Sequence, residues 1–154
     1  LALEAFQSGL SWITILRKRE AFRAAFADFD PAVVAAFGDD DVERLMADPG
    51  IVRNRAKIEA AIADARALVA MHGRGERLRD VMEAYRPADP VVPATPADVP
   101  GSTPASTALA KDLKRLGFRF VGPTTAYAAM QAIGIVDDHL AGCPSRRAAR
   151  SGGG

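Results

Sequence analysis

The 154-residue chain is 49% hydrophobic and 25% charged, with 20 Lys and Arg against 19 Asp and Glu. That suffices for one domain with a continuous core, and it excludes an overall basic field, so any nucleic acid must be met by local patches. The single cysteine, Cys143, excludes an intrachain disulfide and fits a reducing compartment; there is no signal-peptide pattern and no apolar run near the ~20 residues that span a bilayer, so a cytoplasmic protein without membrane contact is expected.

Alanine is abundant and β-branched runs are scarce, which predicts an all-α chain. Leu1, Leu3 and Phe6 read as one face of a helix already in progress, so the chain is expected to lack a segment before Leu1. This helix runs into Gly9. Ser11 then caps a second helix that turns Trp12, Ile15 and Leu16 inward and Arg17 to Glu20 outward, with Phe22, Phe26 and Phe29 continuing the apolar stripe. Asp30-Pro31 starts the next helix, with Val33, Val34 and Phe37 toward the core and Gly38 at its end. Asp39 to Asp41 open a short helix with Val42, Leu45 and Met46 inside, closed by Asp48-Pro49-Gly50.

Ile58, Ala61, Ile62, Ala65, Leu68 and Val69 follow amphipathic spacing and predict a helix ending near Met71. Leu78, Val81, Met82 and Tyr85 make another, stopped by Pro87. Six of the ten prolines fall between Pro87 and Pro104, so 87–104 is an extended loop, either a surface connection or the linker between two helical lobes. Leu109, Leu113 and Leu116 give a further helix that ends at Gly117. Helical pattern resumes at Thr124, and the arginine- and glycine-rich tail 144–154 is expected to be disordered.

Four places carry possible chemistry. "LKRLGFRFVGPTTAYAAM" has the layout of a helix-hairpin-helix: glycines let the backbone turn and approach a partner, and N–H groups opening the second helix can receive a phosphate. Lys111, Lys114, Arg115 and Arg119 surround it; a plain helical hairpin with a solvated basic face is the other reading. Arg53, Arg55 and Lys57 stand where positive charge opposes a helix dipole, which suits either a phosphate contact or a tolerated exposed turn. His139 and Cys143 have the spacing of two ligands of one metal, half of a tetrahedral site. Glu4 and Trp12 would not share a face on an unbroken helix; a corner at Gly9 lets them point into one pocket, but the residues alone favour a surface glutamate beside a core tryptophan.

"LEAFQSGLSWITILRKREAF", "DPGIVRNRAKIEAAIADARA" and "GFRFVGPTTAYAAMQAIGIVDDHLAGC" together resemble, in order and spacing, the DNA-3-methyladenine glycosylase I family of bacterial base-excision repair enzymes, from Leu1 to Cys143. The resemblance implies the all-α helix-hairpin-helix glycosylase fold in two helical lobes, with residues 1–143 as the glycosylase domain. It implies release of 3-methyladenine from alkylated double-stranded DNA by a monomer. Glu4 matches the family's glutamate that hydrogen-bonds the methylated base, and Trp12 matches its aromatic wall. Gln7, Gly9 and Leu10 fall in the segment that enters the duplex, while Gly117, Gly122, Thr124 and Thr125 fall in the DNA-anchoring hairpin. His139 and Cys143 match two of four ligands of a structural zinc.

The expected physics agrees. Flipping a nucleotide leaves a gap that a wedge such as Leu10 can fill. The cationic base favours an aromatic face and a carboxylate, and it is already a good leaving group. No lysine follows the hairpin at the place of a Schiff-base nucleophile, so a monofunctional hydrolase is expected. The family's segment before Leu1, with a cysteine, a histidine and pocket tyrosines, is absent here. A DNA-binding fragment without catalysis is therefore the alternative. Asp137 stands where the family more often has asparagine, as electrostatic support for the sugar or as a cap or contact to His139.

Overall fold

The computed structural model describes Phe6, residues 12–89 and residues 92–140. Helices α1 (Trp12–Arg17), α2 (Arg19–Ala25), α3 (Pro31–Ala35), α4 (Asp39–Ala47), α5 (Arg55–Gly73), α6 (Leu78–Glu83), α7 (Pro104–Arg115) and α8 (Pro123–Ala132) follow one another, with 3-10 turns at Ala27–Phe29 and Pro96–Asp98. No strand occurs among the described residues, and none of their helices is long and apolar enough to cross a membrane.

Local signals start the helices: the Asp30 cap is as expected, and Asn54 and Thr103 add two that apolar spacing does not mark. The Asp30 side chain accepts from the N–H groups of Ala32 and Val33 at 2.9 and 3.2 Å, and Asn54 accepts from Lys57 N–H at 3.1 Å. Thr103 and Ser106 exchange bonds, Ser106 N–H to Thr103 Oγ1 at 3.1 Å and Thr103 N–H to Ser106 Oγ at 2.8 Å. Each satisfies donors that a helix start leaves without intrahelical partners.

Two cores result. The first joins Phe6, Phe22, Phe26, Val34, Phe37, Leu45 and Ile58; the second joins Met71, Met82, Leu109, Leu113, Phe118, Val121 and Met130. Helix α5 serves both, with Ile58, Ala61 and Ile62 in the first and Ala67 and Met71 in the second. The proline-rich loop connects α6 to α7, both of which pack in the second core, so it is a surface connection and α5 links the lobes. Arg66, on α5, donates to the carbonyls of Ala35 and Phe37 at 3.0 and 2.8 Å, satisfying acceptors at the end of α3.

Some expectations need correction. Leu16, Val33 and Val69 were expected inside but are 45%, 46% and 40% exposed. Helix α3 is barely one turn long and commits Val34 to the core, which leaves the adjacent Val33 about 100° away. Helix α5 buries Ile58, Ala61 and Ile62 of the expected stripe and leaves Ala65 and Leu68 half-buried, but it adds Ala60, Asp64, Ala67 and Met71 to the buried face, exposes Val69, and runs to Gly73. Phe29 does not continue a right-handed helix: Ala27, Asp28 and Phe29 have φ of +49°, +55° and +59°, and Phe29 stacks on Phe26 at 5.4 Å. Helix α6 stops at Glu83, before Tyr85, whose hydroxyl instead donates to Asp112. Helix α8 begins at Pro123 rather than Thr124.

Candidate functional site

The hairpin is the best-defined candidate. Helix α7 ends when Gly117, at φ +100°, reverses the chain, and Phe118 N–H closes onto Leu113 C=O at 3.0 Å. This six-to-one bond with a positive-φ residue is the usual way to terminate a helix. Phe118 and Val121 then plug into the second core at 3% and 1% exposure, holding the loop from within, while Arg119 and Phe120 between them are exposed. Gly122 precedes α8, and a side chain there would meet no atom within 4 Å, so the approach to the helix start is open. Pro123 has no N–H, which leaves those of Thr124 and Thr125 to face the opening of α8. Gly117 and Gly122 thus bound the turn, and Thr124 and Thr125 stand in the first turn of α8 beside it.

Charge around this turn is uneven. Lys111, Lys114 and Arg119 are exposed. Arg115 pairs with Asp112, which also accepts the Tyr85 hydroxyl; these bonds hold the Asp112 carboxyl below its usual range and push the Tyr85 hydroxyl up. Behind α8, Asp138 accepts from the Tyr127 hydroxyl and from Gln131 Nε2, the latter at 2.7 Å; burial, then the Asp138 bond, push the Tyr127 hydroxyl well above its usual range.

Two groups of the hairpin escaped the sequence reading. Asp64, on α5, is 8% exposed, and its Oδ1 accepts the Arg119 N–H at 2.7 Å. Burial raises its carboxyl to about 6, with the Arg119 bond opposing the rise. The signal was there: Asp64 lies three residues from both Ala61 and Ala67, a carboxylate on the buried face of an apolar stripe. Phe120 is the other, 47% exposed at φ +51°, a conformation that bulky residues rarely take.

Near the chain's start, Phe6 packs on Phe22 and Phe26 with centroids 4.8 and 5.8 Å apart, and its carbonyl accepts from Lys57 Nζ at 3.1 Å. Glu4, Gln7, Gly9 and Leu10 lie outside the described residues, as do the Gly9 corner and the Ser11 cap. Trp12 opens α1, but its side chain also lies outside the described residues. The Arg53, Arg55 and Lys57 cluster is largely used internally: Arg55 pairs with Glu43 and, at 3.8 Å, with Glu59, and the Glu43 bond and charge raise its pKa. Acidic partners on α4 and α5 therefore offset the dipole cost that suggested a phosphate there.

At the far end, Asp137 Oδ1 accepts the His139 N–H at 3.2 Å and lies 2.6 Å from His139 Nδ1. Asp137 is thus in contact with His139. No group of three or more His, Cys, Asp or Glu suited to a metal occurs among the described residues, and Cys143 lies outside them, as does the tail 144–154.

An all-helical, two-core chain that presents a glycine-bounded hairpin between two helices has the helix-hairpin-helix glycosylase fold. The sequence matches the family described as methyladenine glycosylase over residues 1–147, and the chain belongs to that family. It is 50% identical over 145 residues to DNA-3-methyladenine glycosylase 1 of Escherichia coli (strain K12), covering 93% of this chain and 78% of that protein. It is 45% identical over 148 residues to DNA-3-methyladenine glycosylase of Haemophilus influenzae, covering 95% and 80%. Among solved structures, a crystal structure of 3-methyladenine DNA glycosylase I superposes with a TM-score of 0.90 at 49% identity, over 95% of this chain and 81% of that one. A Staphylococcus aureus 3-methyladenine DNA glycosylase I, described for its recognition of 3-methyladenine, does so at 0.86 and 37% identity, over 96% and 80%.

Proposed function

We propose that this chain is a monofunctional DNA-3-methyladenine glycosylase of base-excision repair, hydrolysing the N-glycosidic bond of 3-methyladenine in alkylated double-stranded DNA after base flipping. The carrying observation is the 50% identity to the E. coli DNA-3-methyladenine glycosylase 1, which runs through both cores and the hairpin. In this reading it works as a monomer in the bacterial cytoplasm.

In this reading the opening of α8, through the N–H groups of Thr124 and Thr125, takes a DNA phosphate, and Lys111, Lys114 and Arg119 add screened attraction. Gly117 and Gly122 allow the backbone to come close. Leu10, with Gln7 and Gly9, fills the stack that the flipped nucleotide leaves. Glu4 hydrogen-bonds the cationic base, and Trp12 faces it with cation-π attraction worth about 0.5–2 kcal/mol. A bound, oriented base leaves readily, and water adds to the oxocarbenium-like sugar. Anchoring Phe6 in the aromatic core supports this reading, since it fixes the chain two residues from Glu4.

The chemistry of His139 and Cys143 suits zinc, and the Asp137 contact to the imidazole is the arrangement that orients a metal-ligating histidine. These two residues would supply two of the four ligands of a structural zinc. No step of the hydrolysis runs through it.

The test is release of 3-methyladenine from methylated duplex DNA by the parent and by Glu4→Gln. Release by the parent with a large loss in the variant supports the reading. Equal rates remove Glu4 from the mechanism, and duplex binding without release by either favours the DNA-binding fragment.

A further inference from the structure

The hairpin that approaches DNA in this reading is held on its inner side by a group from the middle of α5. Phe118 and Val121 are buried, but the loop does not rest on close packing throughout. A half-open pocket of about 120 Å³ adjoins it, lined by Phe118 together with Asp64, Ala61, Ala65, Leu68 and Phe29. At its rim, Asp64 Oδ1 accepts the Arg119 N–H at 2.7 Å, a bond between groups 55 residues apart. The next residue, Phe120, sits at φ +51° with its ring exposed. A strained, exposed residue of this size persists only where its neighbours dictate its conformation.

We infer that Asp64 is a positioning residue for DNA binding: its buried carboxylate fixes the Arg119 amide, and thereby the left-handed step at Phe120 and the path of the backbone into Gly122 and α8. The inference rests on the hairpin being the DNA-anchoring element. Asp64 touches neither the base nor the phosphate. Packing alone would leave Phe118 room to shift into the pocket, carrying the start of α8 with it. A hydrogen bond fixes direction as well as distance, which dispersion contacts do not.

The experiment compares the full chain with Asp64→Ala and Asp64→Asn. It measures the Kd for a duplex carrying a stable abasic-site analogue and the single-turnover release of 3-methyladenine at saturating duplex. Loss of one hydrogen bond to a charged acceptor predicts a Kd raised about tenfold in Asp64→Ala. Release at saturation should stay within about twofold of the parent, because the chemical step is untouched. Asp64→Asn keeps a carbonyl acceptor in the same place and should restore the parent Kd.

An Asp64→Ala protein with parental Kd, or one that loses rate at saturation while its Kd is unchanged, overturns the inference. Should Asp64→Ala not fold, Asp64→Ser, too short to reach Arg119, takes its place with the same expectation. If neither folds while Asp64→Asn does, the role is structural and the inference fails. A parent chain that does not bind the duplex defeats the reading of the hairpin itself, which is a separate result.

Discussion

Lys57 Nζ donates to the main-chain carbonyl of Phe6 at 3.1 Å, joining the start of α5 to a residue 51 positions earlier. Burial lowers the Lys57 pKa, so the bond forms where water competes poorly. Lys57→Met keeps the apolar stem and removes the donor. It is expected to cost about 1–3 kcal/mol in urea unfolding, and to slow 3-methyladenine release, because the bond holds Phe6, two residues from the Glu4 proposed to bind the base. Unchanged release would show that Phe6 is held by its ring contacts alone.

Asp64 predicts a pH dependence of stability. Its carboxyl titrates at about 6 in the folded chain against an ordinary value of 3.8, so between these the folded state holds the extra proton. The burial penalty on the charged form is absent below 3.8, grows as the pH rises, and is complete above about 6. Asp64→Asn should therefore raise the Tm at about pH 7.5, and the gain should shrink toward about pH 4.5. A gain independent of pH would show that Asp64 does not titrate in this range.

The two positive-φ positions of the hairpin respond in opposite ways. Phe120→Gly removes left-handed strain at an exposed site and is expected to stabilise the chain by about 1 kcal/mol. Gly117→Ala should destabilise by about 1–2 kcal/mol, and the cause is backbone conformation rather than collision, since a Cβ there would meet Ala67 Cβ at an ordinary 3.5 Å. Denaturant titrations of both variants measure the two signs directly.

Phe26 is fully buried at the centre of the first core, with rings of Phe6, Phe22, Phe29 and Phe37 at 5.8, 6.3, 5.4 and 6.4 Å. Phe26→Ala removes one partner from all four contacts and should cost about 3–5 kcal/mol. Thermal unfolding followed by circular dichroism tests it, and a loss below that of a typical surface change would mean the aromatic cluster closes over the gap.

Some helix starts were legible because they are local. Asp30-Pro31 carries its own capping chemistry within four residues, and the glycines of the hairpin mark its turn, whereas the Asn54 and Thr103 caps lie outside the apolar periodicity that marks the helices they start. What else was not legible depends on distant partners. The rotation of α5 that exposes Val69 and buries Asp64 is set by packing against α3 and the hairpin, and spacing defines a stripe only to within one position. Periodicity also ran Phe22, Phe26 and Phe29 into one helix, whereas the stacking of Phe29 on Phe26 is reached through a left-handed turn. For the site, the hairpin emerged from glycines and charge, whereas Glu4 and Trp12 gained roles through family resemblance alone.

Helix α5 has a mechanical consequence. Because one uninterrupted cylinder threads both cores, it acts as a ruler: Ile58 and Met71 are separated by about 20 Å along its axis. A residue inserted midway would turn one lobe against the other by about 100° and lengthen the span by about 1.5 Å, whereas an insertion in the proline-rich loop alters neither. The phase relation between the aromatic core and the hairpin is therefore written in residue count along α5, and length there is the least negotiable quantity in the chain.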